Sequence, residues 1–410
     1  MILLVLSILL IPFHSHARMP APVIEFSKYS TQCKVQVLKN IGWQIEKGQA
    51  DAVIAAERCE SISAPKLVMQ GEASTITDEA LRSTGTNCLY QNRIAIAALA
   101  ATKKLKSNKF YIFPPFWQNA LLSMGSLKKT WQVAVCANEE NQCYNPNSED
   151  KAKSIDAFYT SPFSTDCSVG LQLAEYAMIK ELFGNEMFNK HFSTDEIFLG
   201  EFPDSAKSKS FTRGKHKEAV WAEKGSEYSK AGFRTFIGVP GVIASVFDES
   251  FLDDIPNVNE NFMIVDITQA ASESFERAEG FKGYENKMRE IWELTKSITK
   301  PELKALQDVA EINYLNQASE FYVQSRMSKE LDQPMSATSM KILKLLKDPF
   351  LSQTQIYVHP VGNRNIAWHI LRLAQINSRT PYKIAFHQEV VHGGLFNRWI
   401  KSQLDDCENN

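Results

Sequence analysis

"SPFSTDCSVGLQLAEYAMIKELFG", residues Ser161 to Gly184, decides how this chain is read. Ser164, Thr165 and Asp166 offer helix-capping oxygens, and Gly184 offers a stop. Between them Leu171, Ala174, Met178 and Leu182 recur at helical spacing, while Gln172, Glu175 and Lys180 fall off that stripe, so the stretch predicts an amphipathic helix. Cys167 falls in its first turn. There the unpaired N–H groups and the positive end of the helix dipole favour a thiolate, which is the setting of a nucleophile. A cysteine that packs or forms a disulfide is the alternative reading of the same position.

The rest of the chain supports three regions after a leader. The 410 residues carry 45 Lys and Arg against 47 Asp and Glu, with 44% hydrophobic and 22% charged residues, so no basic excess points to nucleic acid. Residues 1–17 read as a signal peptide: an apolar run from Ile2 to Phe13, too short to span a bilayer, precedes the small residues Ser15 and Ala17, with cleavage after Ala17. No Lys or Arg precedes Arg18, so a short membrane anchor is the alternative. A secreted or periplasmic protein with no stable membrane insertion after cleavage is expected. Seven cysteines then suit an oxidising compartment: Cys136 and Cys143 flank a polar loop fit for a hairpin bridge, Cys33, Cys59, Cys88 and Cys407 supply two more, and Cys167 is left over.

Residues 18–148 read as an irregular α/β region, with strand-like "VIEFS", "KVQVLKN", "KFYIFPPF" and "WQVAVCA" and a helix over Arg93 to Lys106. Residues 149–282 hold the cysteine helix followed by "DEIFLGEF", "FRTFIGVPGVIASVF" and "NENFMIVDIT", short β-branched pieces punctuated by glycine. Residues 283–410 turn to long helices, Tyr284 to Ile298, Pro301 to Ser325 and Ser336 to Leu346, with a strand-like "QIYVHPVG", and are expected to form an accessory domain. A cysteine-bearing helix followed by strands is the chain order of papain-like and transglutaminase-like cores, giving an α+β fold class for the whole.

The stretch from Phe163 resembles the active-site segment of bacterial protein-glutamine γ-glutamyltransferases of the spore-coat type. The likeness rests on Asp166 before Cys167, on Tyr176, on Phe188, Asn189 and Phe192 at the following helix end, and on "NENFMIVD", and it covers Phe163 to Asp266. The resemblance implies that Cys167 is the nucleophile and Glu260 the second catalytic residue. It has departures: Asp166 stands where the family has Glu, the interval to Glu260 is longer, and the family's "GHG" is absent. The implied reaction is acyl transfer from a protein glutamine to a lysine amine, with Glu260 and Asp166 handling protons, backbone N–H groups at Cys167 and Ser168 as the oxyanion hole, and no cofactor.

Two other readings compete. His216, with Asp266 or Asn261 as third group, would make a papain-like peptidase or cell-wall amidase, although its Lys- and Arg-rich surroundings read as an exposed loop. A disulfide-stabilised envelope protein without activity is the other. His359, His369, His387 and His392 match no metal-ligand spacing, and Gly238 and Gly241 read as turn glycines rather than phosphate binders.

Overall fold

The computed structural model describes residues 24–48, 51–54, 65–71, 75–112, 127, 129–135, 142–165, 167–200, 233–245, 259–278, 281–312, 315, 318–332, 334–376, 382–386 and 392–410. The leader therefore lies outside the described residues. The fold is mixed α+β, as expected, with several small sheets around one larger one.

The N-terminal region contains α1 (Thr31–Ile41), the small sheet of β1 (Gln44–Lys47), β2 (Ala52–Ile54) and β3 (Lys66–Met69), then α2 (Thr77–Arg82) and the long α3 (Thr84–Ser107). Here "KVQVLKN" is helix, not strand. Cys33, Val37, Leu38 and Ile41 are all buried, a helical spacing that local alternation of Val and polar residues had masked, and Ser30 caps the helix by accepting from the Cys33 N–H. "VIEFS" likewise ends in a single 3₁₀ turn, Phe26–Lys28.

Next come β4 (Tyr111–Ile112), the hairpin β5 (Trp131–Val135) and β6 (Gln142–Pro146), α4 (Lys151–Thr160), β7 (Phe163–Ser164), α5 (Cys167–Phe183) and α6 (Asn185–His191). Helix α5 is central rather than amphipathic. Gln172, Glu175 and Lys180, expected on a solvated face, are buried. Gln172 accepts from the Gly200 N–H at 2.9 Å, and Lys180 pairs with Asp156 and, at 3.0 Å, with Glu181, so these two polar side chains are satisfied inside. Among its described residues, "DEIFLGEF" starts in the 3₁₀ turn Thr194–Glu196 and makes an isolated bridge between Leu199 and Tyr144.

The main sheet is antiparallel throughout, in the order β11-β10-β9-β8-β12, built from β8 (Pro240–Ser245), β9 (Asn259–Ile267), β10 (Thr354–Val358), β11 (Gly362–Asn365) and β12 (Tyr382–Phe386). Its strands come from both sides of the boundary expected at 282/283. Central strand β9, whose Phe262 to Val265 are fully buried, finds one partner in β8 and the other in β10, about 90 residues on. The helices α7 (Gln269–Arg277), α8 (Phe281–Thr295), α9 (Lys300–Ala310), α10 (Glu320–Leu331), α11 (Ala337–Leu346) and α12 (Pro349–Gln353) lie between those strands in the chain, and α13 (Ile366–Ile376) and α14 (His392–Glu408) follow β11 and β12. The helix expected over Pro301 to Ser325 is two helices, because Ser319 caps a new one by accepting from the Tyr322 N–H.

Cys33 and Cys407 are joined in a disulfide that fastens α1 to α14 across 374 residues of sequence, and Tyr29 donates to Asp405 at 2.8 Å beside it. Cys88 and Cys143 are also disulfide-bonded. The Cys136 end of the expected hairpin bridge lies outside the described residues. Closing so long a loop restricts the unfolded chain, so replacing Cys33 and Cys407 together by Ala is expected to cost about 2–4 kcal/mol in urea unfolding, with little change in the native circular dichroism.

Candidate active site

The approach to Cys167 is fixed from below. Strand β7 pairs in parallel with β4, Tyr111 opposite Phe163, and the Tyr111 hydroxyl donates to the carbonyl oxygen of buried Thr165. The chain then enters α5 at Cys167, whose half-buried thiol is not in a disulfide. Asp166, between Thr165 and Cys167, lies outside the described residues, as does His216. The first-turn N–H groups of a 17-residue helix have no acceptor within the helix, so the field at the sulfur favours its anion.

Asn261 and Glu260 are neighbours on β9 and therefore point to opposite faces of the sheet. Asn261 faces α5, and its side-chain amide Nδ2 donates to Cys167 Sγ at 3.3 Å. Glu260 faces α13. It is 3% exposed, and its carboxylate is shared between His369, Nδ1 to Oε2 at 2.5 Å, and Arg372, which pairs with Oε1.

Arg372 connects the two faces electrostatically. Burial lowers its pKa, and the negative sulfur of Cys167 pushes the other way by steadying the guanidinium. The same attraction, seen from the sulfur, steadies the thiolate. Because Arg372 already supplies the countercharge to Glu260, His369 needs no positive charge to hold its hydrogen bond. Burial drives the His369 pKa down to about 3, with the Arg364 charge adding to the effect, so a neutral ring donates from Nδ1.

His359 follows β10 directly and is 2% exposed. Its Nδ1 lies 2.6 Å from the Tyr357 hydroxyl, Phe163 stacks on its ring at 5.6 Å between centroids, and Tyr111 meets it edge-on at 4.2 Å. Burial, reinforced by the Lys106 charge, lowers its pKa to about 3 as well.

Of the residues the sequence singled out, the structure therefore brings Asn261 to Cys167 and turns Glu260 to the opposite face, engaged with Arg372 and His369. Asn261 entered the sequence reading only as a partner for His216, whereas it serves the thiol directly. Arg372 and His369 had no sequence signal beyond their i, i+3 spacing on one helix. Among the described residues no group of three or more His, Cys, Asp or Glu is arranged to hold a metal ion. His387 and the His392 side chain lie outside the described residues. No family model, no curated protein and no solved structure matches this chain.

Chemically, the site offers a thiol at a helix start, an amide donor at hydrogen-bond distance from it, and a cation whose charge steadies the sulfur's anion. These features favour nucleophilic attack by sulfur.

Two outcomes follow from the packing and the titrations. A methyl group on Gly170, in the first turn of α5, would lie 2.5 Å from His359 Cβ, so Gly170→Ala should lower unfolding stability by about 1–3 kcal/mol in urea melts. His359 and His369 have folded pKa values near 3 against an ordinary 6.5, so the unfolded chain takes up their protons first. Stability should accordingly be insensitive to these groups above pH 6.5 and fall below it, by up to about 1.4 kcal/mol per pH unit per ring, before most carboxylates titrate. A urea midpoint that stays level from pH 7 to pH 5 contradicts this assignment.

Proposed function

We propose that this protein is a cysteine acyltransferase that acts on glutamine side chains of other proteins. The observation that carries the reading is the thiol of Cys167 in the first turn of α5, outside any disulfide, with the Asn261 amide donating to it. The choice of glutamine as donor and lysine as acceptor rests on the resemblance of the Phe163 to Asp266 segment to spore-coat protein-glutamine γ-glutamyltransferases.

In this reading the sulfur attacks the carboxamide carbon, a tetrahedral oxyanion collects against the first-turn N–H groups of α5, and ammonia leaves with a thioester on Cys167. A lysine amine then attacks the thioester carbon, and the sulfur departs as thiolate. Asn261 holds the sulfur in place. Glu260, engaged by Arg372 and His369, acts as a positioning residue that keeps the guanidinium behind the thiol. Asp166, which directly precedes the nucleophile, retains the role of local acid or orienting group that the resemblance gives it. No cofactor enters the scheme.

The setting proposed for this reaction is outside the cytoplasm. The Cys33–Cys407 bridge and the bonded Cys88 and Cys143 support an oxidising compartment, and no helix among the described residues is long and apolar enough to cross a membrane. A Cys167 paired in a disulfide would have favoured the third sequence reading, a disulfide-stabilised secreted or envelope protein without activity, and that cysteine is in no disulfide.

The test is incorporation of a biotinylated primary amine into a glutamine-bearing protein. Wild-type chain is expected to label it, and Cys167→Ala to reduce labelling to background. Equal labelling by both chains contradicts the proposal. Cleavage of peptide or amide bonds in a Cys167-dependent manner, with no amine uptake, converts the reading to a hydrolase.

A further inference from the structure

We infer that His359 is the proton carrier of the Cys167 site: its Nε2 takes the thiol proton as the sulfur attacks and delivers it to the departing nitrogen. The inference rests on the acyl-transfer reading, and it assigns the proton relay to His359, with Asp166 as an orienting group, since Glu260 is committed to Arg372 and His369.

Strand register puts the ring in position. Val358 pairs with Phe262 and Tyr357 with Met263 across β10 and β9. Carried one residue further, the same register sets His359 beside Asn261, the residue whose amide reaches Cys167 Sγ. Consecutive strands thus present an imidazole and a carboxamide to the same helix start.

Helix α5 is shaped to receive that ring. Gly170 lies three residues after Cys167, on the same helix face one turn along. A Cβ at Gly170 would fall 2.5, 2.6 and 2.7 Å from Cβ, Cγ and Cδ2 of His359, so only glycine leaves room. Cδ2 is bonded to Nε2, and this edge of the ring consequently runs along the first turn of the cysteine helix.

The ring's orientation is fixed at its other nitrogen. Tyr357 engages Nδ1 at 2.6 Å, while Phe163 and Tyr111, from the two short strands that lead into Cys167, clamp the faces and edge. The relay uses the tautomer in which Nδ1–H donates to the phenol oxygen, which leaves Nε2 as the basic nitrogen. Among the described residues that Nε2 has no hydrogen-bond partner, although the side chain is buried. A buried polar atom left without a partner costs about 1–3 kcal/mol, and a ring needed only for packing would not require a nitrogen there.

The surroundings set the protonation state. Burial keeps the Tyr357 phenol neutral, and Lys106, which donates to the Pro360 carbonyl oxygen at 3.0 Å, opposes a charge on the ring. The resting imidazole is neutral. It becomes charged only while a negative sulfur or oxyanion stands beside it, which confines the proton to the moment of attack. The balance closes: the S–H bond breaks and an Nε2–H bond forms as carbon–sulfur bonding begins; the Nε2–H proton then passes to nitrogen as the carbon–nitrogen bond breaks, giving thioester, ammonia and neutral imidazole.

The experiment is the pH dependence of Cys167 alkylation by iodoacetamide in the full, non-reduced chain, read by peptide mapping. Wild type should react at neutral pH. His359→Asn, with its disulfides and melting profile retained, should be at least about tenfold slower at pH 7 and should regain the wild-type rate above pH 10, where hydroxide removes the proton unaided. Tyr357→Phe, which keeps the packing, should fall between the two. A folded His359→Asn chain with the wild-type profile overturns the inference. If neither variant folds, ¹⁵N imidazole spectra of the wild-type chain decide: alkylation of Cys167 shifts the His359 Nε2 signal, whereas an unmoved signal refutes the pairing. The two readings fail separately. A His359-dependent profile without amine incorporation sinks the transferase alone, and Cys167-dependent incorporation that survives His359→Asn sinks the relay alone.

Discussion

The seating of α5 against β9 is the constraint on which the rest of this structure depends. A helix whose polar Gln172, Glu175 and Lys180 are buried along with its aliphatic residues cannot slide or roll without breaking several hydrogen bonds and ion pairs at once. Its N-terminus is therefore placed to within the tolerance of a packed core. Asn261 meets the sulfur only because β9 runs under that terminus and its alternation sends residue 261 upward and residue 260 down.

That alternation also explains how a charged carboxylate comes to be almost fully buried close to a reacting thiol without quenching it. Glu260 spends its charge on Arg372 and a neutral His369 beneath the sheet, and what reaches Cys167 is the field of the guanidinium. The arrangement separates charge compensation from chemistry. Among the described residues, Asn261 and His359, placed on the thiol's side of the sheet, are uncharged, which suits attack on an uncharged carboxamide.

The legibility of the chain in its sequence followed the range of the interactions involved. The cysteine helix, the "NENFMIVDIT" strand and the last-turn helices were readable because their signals lie within a dozen residues. The "KVQVLKN" helix was misread because Val35 and Val37 alternate with Lys34 and Gln36, while the helical spacing of buried Cys33, Val37, Leu38 and Ile41 shows only over a longer window. The joint sheet of β8, β9, β10, β11 and β12 was not legible, because pairing of β9 with β10 is fixed by burial of both across about 90 residues, and no local pattern encodes it. For the same reason the sequence offered Cys167 and Glu260 as a pair and His359 as one of four scattered histidines. Register, which decides which side chains share a face, emerges only once the strands are aligned.

The central claim is that Cys167 carries the acyl group. The most direct measurement is the intact mass of the non-reduced chain, quenched in acid shortly after mixing with a glutamine-containing peptide in the absence of amine, followed by localisation of the adduct. The account predicts an adduct equal to the peptide mass less ammonia, attached at Cys167 and discharged when lysine is added. An adduct on another residue, or an unmodified Cys167 in a chain that nonetheless releases ammonia from the peptide, would contradict it.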